Sequence, residues 1–338
     1  MLVTAYATHV DPPEPTFPHT LLTRRDRRDP EVQSELGGVL GRLRRRGDNA
    51  PPTLRAIRSH LDQVQTQVAF EVDDGADIAP LREWAEQSNA LFFLPDQTLR
   101  DPDFRVLFHP TGREDDRATV PRFSHGQQRK LSTIATLHAW GVHTIDHLPE
   151  LPADPEVRLP AIGDIIDRMA SLLAVAVRSE SVRADEPMSV DEIAATLPRA
   201  VRALTPIESA FLDNAEPNDQ RLTNMLWRYE CVPVLLWTLG LQLELPPPNG
   251  ICDVPQVTAA VLTTNLDDLE ARGWRRDVGE ILDQADLMYR LHWALRNAQL
   301  TGQQPPDGID ASVVIERRWA LHWLLDPSMP WDEISLDT

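Results

Sequence analysis

The chain has 338 residues, with 33 Lys and Arg against 52 Asp and Glu, and a net charge of -19. That length exceeds one ordinary domain, so two domains are expected, with a core large enough to need no disulfide or metal staple. So negative a chain repels phosphate, which argues against general nucleic-acid binding and against an anionic membrane; it fits a cytoplasmic protein, or one that meets a basic protein partner.

Residues 1–8 lack the basic start and long apolar run of a signal peptide. Residues 2–7 read as a short strand and 12–18 as a Pro-rich loop. Residues 24–58 hold ten Arg against five acids, which leaves -24 on the remainder. Within them, residues 31–46 place Val32, Leu36, Val39, Leu40 and Leu43 at helical spacing, entered through Asp29 and Pro30. Gly37, Gly38 and Gly41 oppose that helix. Lying inside a helix and not after a strand, they do not form a phosphate loop. Arg42, Arg44, Arg45 and Arg46 read as phosphate contacts or as a solvated helix end whose cations complement the dipole; the charge elsewhere favours the second.

Residues 64–72 alternate Val64, Thr66, Val68 and Phe70 against Gln65, Gln67 and Glu71, a half-buried strand. Residues 77–88 read as a helix, and 91–94 with 105–108 as a hairpin around the turn-rich stretch 95–103. This order gives an α+β N-terminal domain, residues 1–118, with the boundary between Gly112 and Ser124.

Beyond it the strand signal stops, and residues 124–338 read as a larger all-α domain. Helical stretches are expected at 127–140, 162–182, 190–197, 206–212, 220–241, 278–300 and 311–325. Ser189 with Glu192, and Thr205-Pro206 with Glu208, carry capping-box spacings. No period of 20–50 residues repeats, and no apolar stretch reaches ~18 residues, so no membrane helix is expected.

Walker, G-x-S-x-G and H-E-x-x-H patterns are absent from the sequence, and no cofactor is implied. Cys231 and Cys252 lack a C-x-x-C partner, so reduced thiols and no zinc are expected. His138, His143, Asp146 and His147 cluster in a segment that Gly141 and Pro149 mark as loop, which favours ordinary loop histidines over a metal site.

Three helices place charge among apolar side chains. Glu230 shares its face with Trp227, Val234, Trp237 and Leu241, all within about 60° at 3.6 residues per turn, on a helix apolar nearly all round, beside Arg228. Pro233 removes a donor to the carbonyl of Tyr229. In residues 280–300, Asp283, Asp286, Arg290, Trp293 and Asn297 share one face, with Asp286 and Arg290 in the favourable acid-first order. In residues 311–325, Glu316 lies with Ser312, Ala320 and Trp323, and Arg317 with Val313, Leu321 and Leu324. A salt-bridge knot would fix the docking of these helices, Glu230 accepting from Arg290 or Arg317 and Asp286 or Glu316 balancing the charge. A cleft for a polar small molecule, walled by Arg and Trp, would use the same residues. His292 and His322 border apolar faces and read as core histidines.

The segments WRYECVPVLLWTLG (227–240), EILDQADLMYRLHWALRNAQL (280–300), IERRWALHWLL (315–325) and WDEISLDT (331–338) carry a resemblance. Over roughly residues 127–338 the chain resembles a bacterial family known only as domain of unknown function 4272. The resemblance implies a helical fold and no activity, and the N-terminal domain looks like the extra module of longer members. Two functions follow from the residues: a non-enzymatic interaction or regulatory protein, immunity-like and docking a basic partner, or a small-molecule-binding protein or hydrolase using Glu230, Asp286, Arg290 and Glu316. The missing nucleophile–base pair favours the first.

Overall fold

The computed structural model describes residues 1–44, 51–73 and 79–337. Contacts divide the chain into two compact units, Met1–His125 with Ala153–Val157, and Gly126–Pro152 with Arg158–Thr338.

The first unit is built on an antiparallel sheet of β1 (Leu2–Ala7), β2 (Thr20–Asp26), β3 (Thr66–Glu71), β4 (Ala90–Phe93), β5 (Leu99–Arg100) and β6 (Val106–Phe108), in the order β2-β3-β1-β4-β5-β6. The helices are α1 (Pro30–Arg44), α2 (Pro52–Gln63) and α3 (Ala79–Ser88). Central β1 pairs Ala5 with Val68 of β3 and with Phe92 of β4. Side chains alternate across a strand, so β1 feeds two cores. Val3, Ala5 and Ala7 join Phe70, Leu81, Trp84 and Phe92 under α3, and Tyr6 joins Val32, Leu36, Leu43, Ile57, Leu61 and Leu91 under α1 and α2.

The hairpin expected of 91–94 with 105–108 does not form: β5, two residues inside the stretch expected as turn, pairs with both β4 and β6 and lies between them. Two further elements of this unit carry weak sequence signals. Edge strand β2 leaves Leu21 and Leu22 exposed and has a bulge between Leu21 and Thr23, so it shows no alternation. Helix α2 buries Leu54, Ile57 and Leu61 from within the arginine-dense stretch, where charge masks its periodicity. Helix α1 does run through its three glycines, because Val32, Leu36, Val39 and Leu43 are buried and outweigh propensity. Arg42 lies 5.8 Å from the Phe93 ring and Arg44 is exposed at the helix end, while Arg45 and Arg46 lie outside the described residues, as does the first part of the helix expected at 77–88.

The second unit is helical: α4 (His125–Ala139), α5 (Ile162–Arg183), α6 (Val190–Thr196), α7 (Pro206–Leu212), α8 (Asp219–Leu226), α9 (Val232–Thr238), α10 (Val254–Leu262), α11 (Leu266–Arg272), α12 (Val278–Thr301) and α13 (Ala311–Leu325). Helix α5 is its axis. It buries Ile165, Ile166, Met169, Leu172, Leu173 and Val175 on all sides, the mark of a central helix. Both expected capping boxes form, with Ser189 Oγ accepting from Glu192 N at 3.2 Å and Thr205 Oγ1 from Glu208 N at 3.2 Å. Among the described residues no helix is long and apolar enough to cross a membrane.

The single helix expected over 220–241 is three pieces: α8, a 3₁₀ turn at Trp227–Cys231, and α9. Pro233 sits in the first turn of α9, where its missing N–H costs nothing. The Tyr229 carbonyl instead accepts from Val232 N. Helices α10 and α11, nine and seven residues long, follow the Pro-rich loop unannounced, without the capping boxes that mark the similarly short α6 and α7. Asp253 and Asn265 cap their starts, and Gly273, at φ +67°, ends α11 in the left-handed conformation.

Candidate functional site: the charged core of the helical unit

The 3₁₀ turn, tighter than an α-helix, turns Glu230 inward until it is 2% exposed. Its Oε1 accepts from Cys252 N at 2.5 Å. Its Oε2 lies 3.8 Å from Arg317 Nη2, beyond hydrogen-bond reach. Neither that oxygen nor Arg317 Nε has a hydrogen-bond partner among the described residues, while Arg317 Nη1 donates to Pro246 O. Burial pushes the Glu230 carboxyl up and the Arg317 guanidinium down.

A carboxyl raised in the fold is one whose charge the fold disfavours, so its ionised form subtracts stability above the ordinary carboxylate range. Gln at this position keeps the acceptor for Cys252 N and removes that charge. Glu230→Gln is therefore expected to change stability by less than about 1 kcal/mol at neutral pH. A urea titration showing a loss of ~3 kcal/mol or more would make the Arg317 contact a true buried pair.

The other carboxylates each take a different arginine. Asp286 and Arg290, on successive turns of α12, form a bidentate pair at 2.9 and 2.9 Å with side chains 1% and 0% exposed. Arg290 also donates to Pro149 O at 3.1 Å. Glu316 of α13 takes Arg228 Nη1 at 2.8 Å, and Cys231 Sγ lies 3.3 Å from the same carboxylate oxygen. Asp283 is largely exposed and takes the buried Arg129 at 2.8 Å. Trp237 is buried under Arg276, whose guanidinium lies 4.8 Å from its ring, whereas Trp293 and Trp323 are half-buried. The core acids thus bind in separate pairs, not around one arginine.

Several core residues gave no separate signal in the sequence. Arg168 of α5 is buried against Glu208 of α7 and donates to Ala203 O at 2.8 Å. Arg199 joins Asp167, Asp267 and Glu270. Trp331 lies beside Arg168, Arg228, Trp319 and Trp323. A charge on a helix apolar nearly all round, the feature that singles out Glu230, is the signal that could have found Arg168, which has Ile165 and Leu172 on its face.

Both cysteines are free. Burial raises the Cys231 thiol well above its usual value and pushes that of Cys252 up to about 12, with Glu230 adding to the latter. Such thiols stay protonated and unreactive. Burial, with Arg318 beside it, pushes His292 down to about 4, and burial lowers His322. The rings of His138 and His143 are 5.6 Å apart, and among the described residues no group of His, Cys, Asp and Glu is arranged to hold a metal ion.

Neither a curated protein nor a solved structure matches the chain. A family profile described as Domain of unknown function (DUF4272) matches residues 129–334, more than half of the chain. That span holds Arg168–Glu208, Asp286–Arg290, Arg228–Glu316 and Trp331, so the charged core lies within the matched region, and the chain belongs to the DUF4272 family.

Proposed function

We propose that the chain acts in the cytoplasm by binding a basic protein partner and not by catalysis. The observation that carries this reading is the engagement of the core's charged groups with one another. Asp286, Glu316 and Glu208 each hold an arginine, and both thiols are held protonated by burial. What is left to act outward is the acidic surface implied by the net charge of -19. Two unpaired cysteines also suit a reducing compartment. A second reading, a small polar ligand held between Glu230 and Arg317, is favoured by Glu230 Oε2 and Arg317 Nε, which have no hydrogen-bond partner among the described residues.

Native capture of the full chain from its host at low salt, with mass spectrometry of retained proteins and small molecules, separates the two. The expected result is a stoichiometric protein rich in Lys and Arg, released as the Debye length shrinks from ~10 Å at 0.1 M toward ~3 Å at 1 M salt. A stoichiometric small molecule freed only by denaturation, with no protein retained, would replace this reading with the second.

A further inference from the structure

Residues 331–337 lie on the helical unit in the manner of a bound peptide. After the 3₁₀ turn Trp331–Glu333 they have no regular structure, and among the described residues no main-chain bond is donated by the amides from Ile334 to Asp337. They are held by side-chain anchors. The Trp331 indole is 4% exposed, with Arg168 at 4.7 Å and Arg228 at 5.7 Å from its ring, and with the rings of Trp319 and Trp323 at 6.4 and 6.1 Å. Trp319 Nε1 donates to Trp331 O at 3.3 Å. Three residues on, Ile334 is 5% exposed. Arg318 then spreads its fork over two successive carbonyls, Leu336 O at 2.9 Å and Asp337 O at 3.2 Å.

The groove is aromatic, from Trp319 and Trp323, and of its guanidinium groups Arg168 and Arg228 are already held by Glu208 and Glu316, which leaves Arg318 to face the segment. Arg318 is 8% exposed and meets His292 Nδ1 and two carbonyl oxygens where a carboxylate would be the usual partner of a buried guanidinium. A buried aromatic anchor, an apolar residue three positions on and a fork on the main chain are the contacts by which grooves recognise peptides. None of them depends on the segment belonging to the same molecule.

We propose that residues 331–337 form an exchangeable strap, and that the groove beneath them takes an extended segment of a protein partner carrying Trp and, three residues on, Ile. The strap is favoured by its tether, which gives it an effective concentration of about millimolar order. A partner segment therefore competes only when the strap is loosened. This surface is distinct from the acidic one, and either reading can fail alone.

The test uses the full chain with a protease site inserted after Ser328, in the turn that precedes the strap, so that no core side chain is altered. A labelled synthetic peptide of residues 327–338 is added before and after cleavage. The expected result is uptake after cleavage, at least about tenfold weaker binding before it, and loss of uptake when the peptide carries Trp331→Ala. No uptake by the cleaved chain, equal uptake before and after cleavage, or equal uptake of the Trp331→Ala peptide would each overturn the proposal.

Discussion

Glu208→Gln is expected to cost about 3–5 kcal/mol, the usual loss when one member of a buried ion pair is removed. The pair joins α5 to α7, and its two side chains are only 3% and 2% exposed. Glu208 has two roles, which this substitution separates. Its Oε2 accepts from Thr205 N at 3.0 Å to complete a capping box, and Gln serves that cap as well as Glu does. What is lost is the counter-charge of Arg168, which cannot shed its proton. The bond to Ala203 O and the indole of Trp331 remain, and a desolvated cation–π contact is worth about 2 kcal/mol, short of a full carboxylate. Urea denaturation should show a lower midpoint at unchanged slope; a loss below ~1 kcal/mol would mean that Arg168 is satisfied without Glu208.

Asp286→Asn is expected to have an effect of the same size, about 3–5 kcal/mol, for a different reason. The carboxylate gives both oxygens to Arg290 at 2.9 Å within one helix. Asn keeps one acceptor but turns an N–H₂ group toward a guanidinium that is 0% exposed. Pro149 O takes one of the remaining donors, and Arg290 Nη1 already lacks a partner among the described residues. The contrast with Glu230→Gln is informative. Both residues are buried acids near an arginine, but one sits in a bidentate pair and the other stands 3.8 Å from its arginine with its carboxyl pushed toward neutrality.

The local features were the legible ones. The acid-first spacing of Asp286 and Arg290 is a property of five successive residues on one helix, and the capping boxes at Ser189 and Thr205 are properties of four. The α+β character of the first unit and the helical character of the rest followed from hydrophobic periods of 2 and 3.6 residues. Pairs set by tertiary packing were not legible. Arg228 meets Glu316 across 88 residues of chain and Arg168 meets Glu208 across 40, and helical periodicity fixes a face but not the opposing residue. Glu230 shows the other limit. Its inward direction was readable from an apolar helix, but the 3₁₀ turn before Pro233 changed the geometry of that face, and Cys252, beyond a Pro-rich loop, became its hydrogen-bond donor. Edge strand β2 was hidden because exposed leucines and a bulge erase the alternation that marks a strand with one buried face.

The claim that the charged core is structural, and is not kept for chemistry, is tested most directly by a double-mutant cycle on the most deeply buried pair, Asp286 and Arg290 of α12. Stability by urea denaturation would be measured for Asp286→Leu, Arg290→Met and the two combined. Each single change should lose about 3–5 kcal/mol by stranding a charge, and the double change should return to within ~1 kcal/mol of the parent, because apolar side chains of similar volume replace a buried ion pair at little net cost. Single variants that lose less than ~1 kcal/mol, or gain stability as residues retained for function often do on replacement, would contradict the account and return Asp286 and Arg290 to the list of ligand-binding groups.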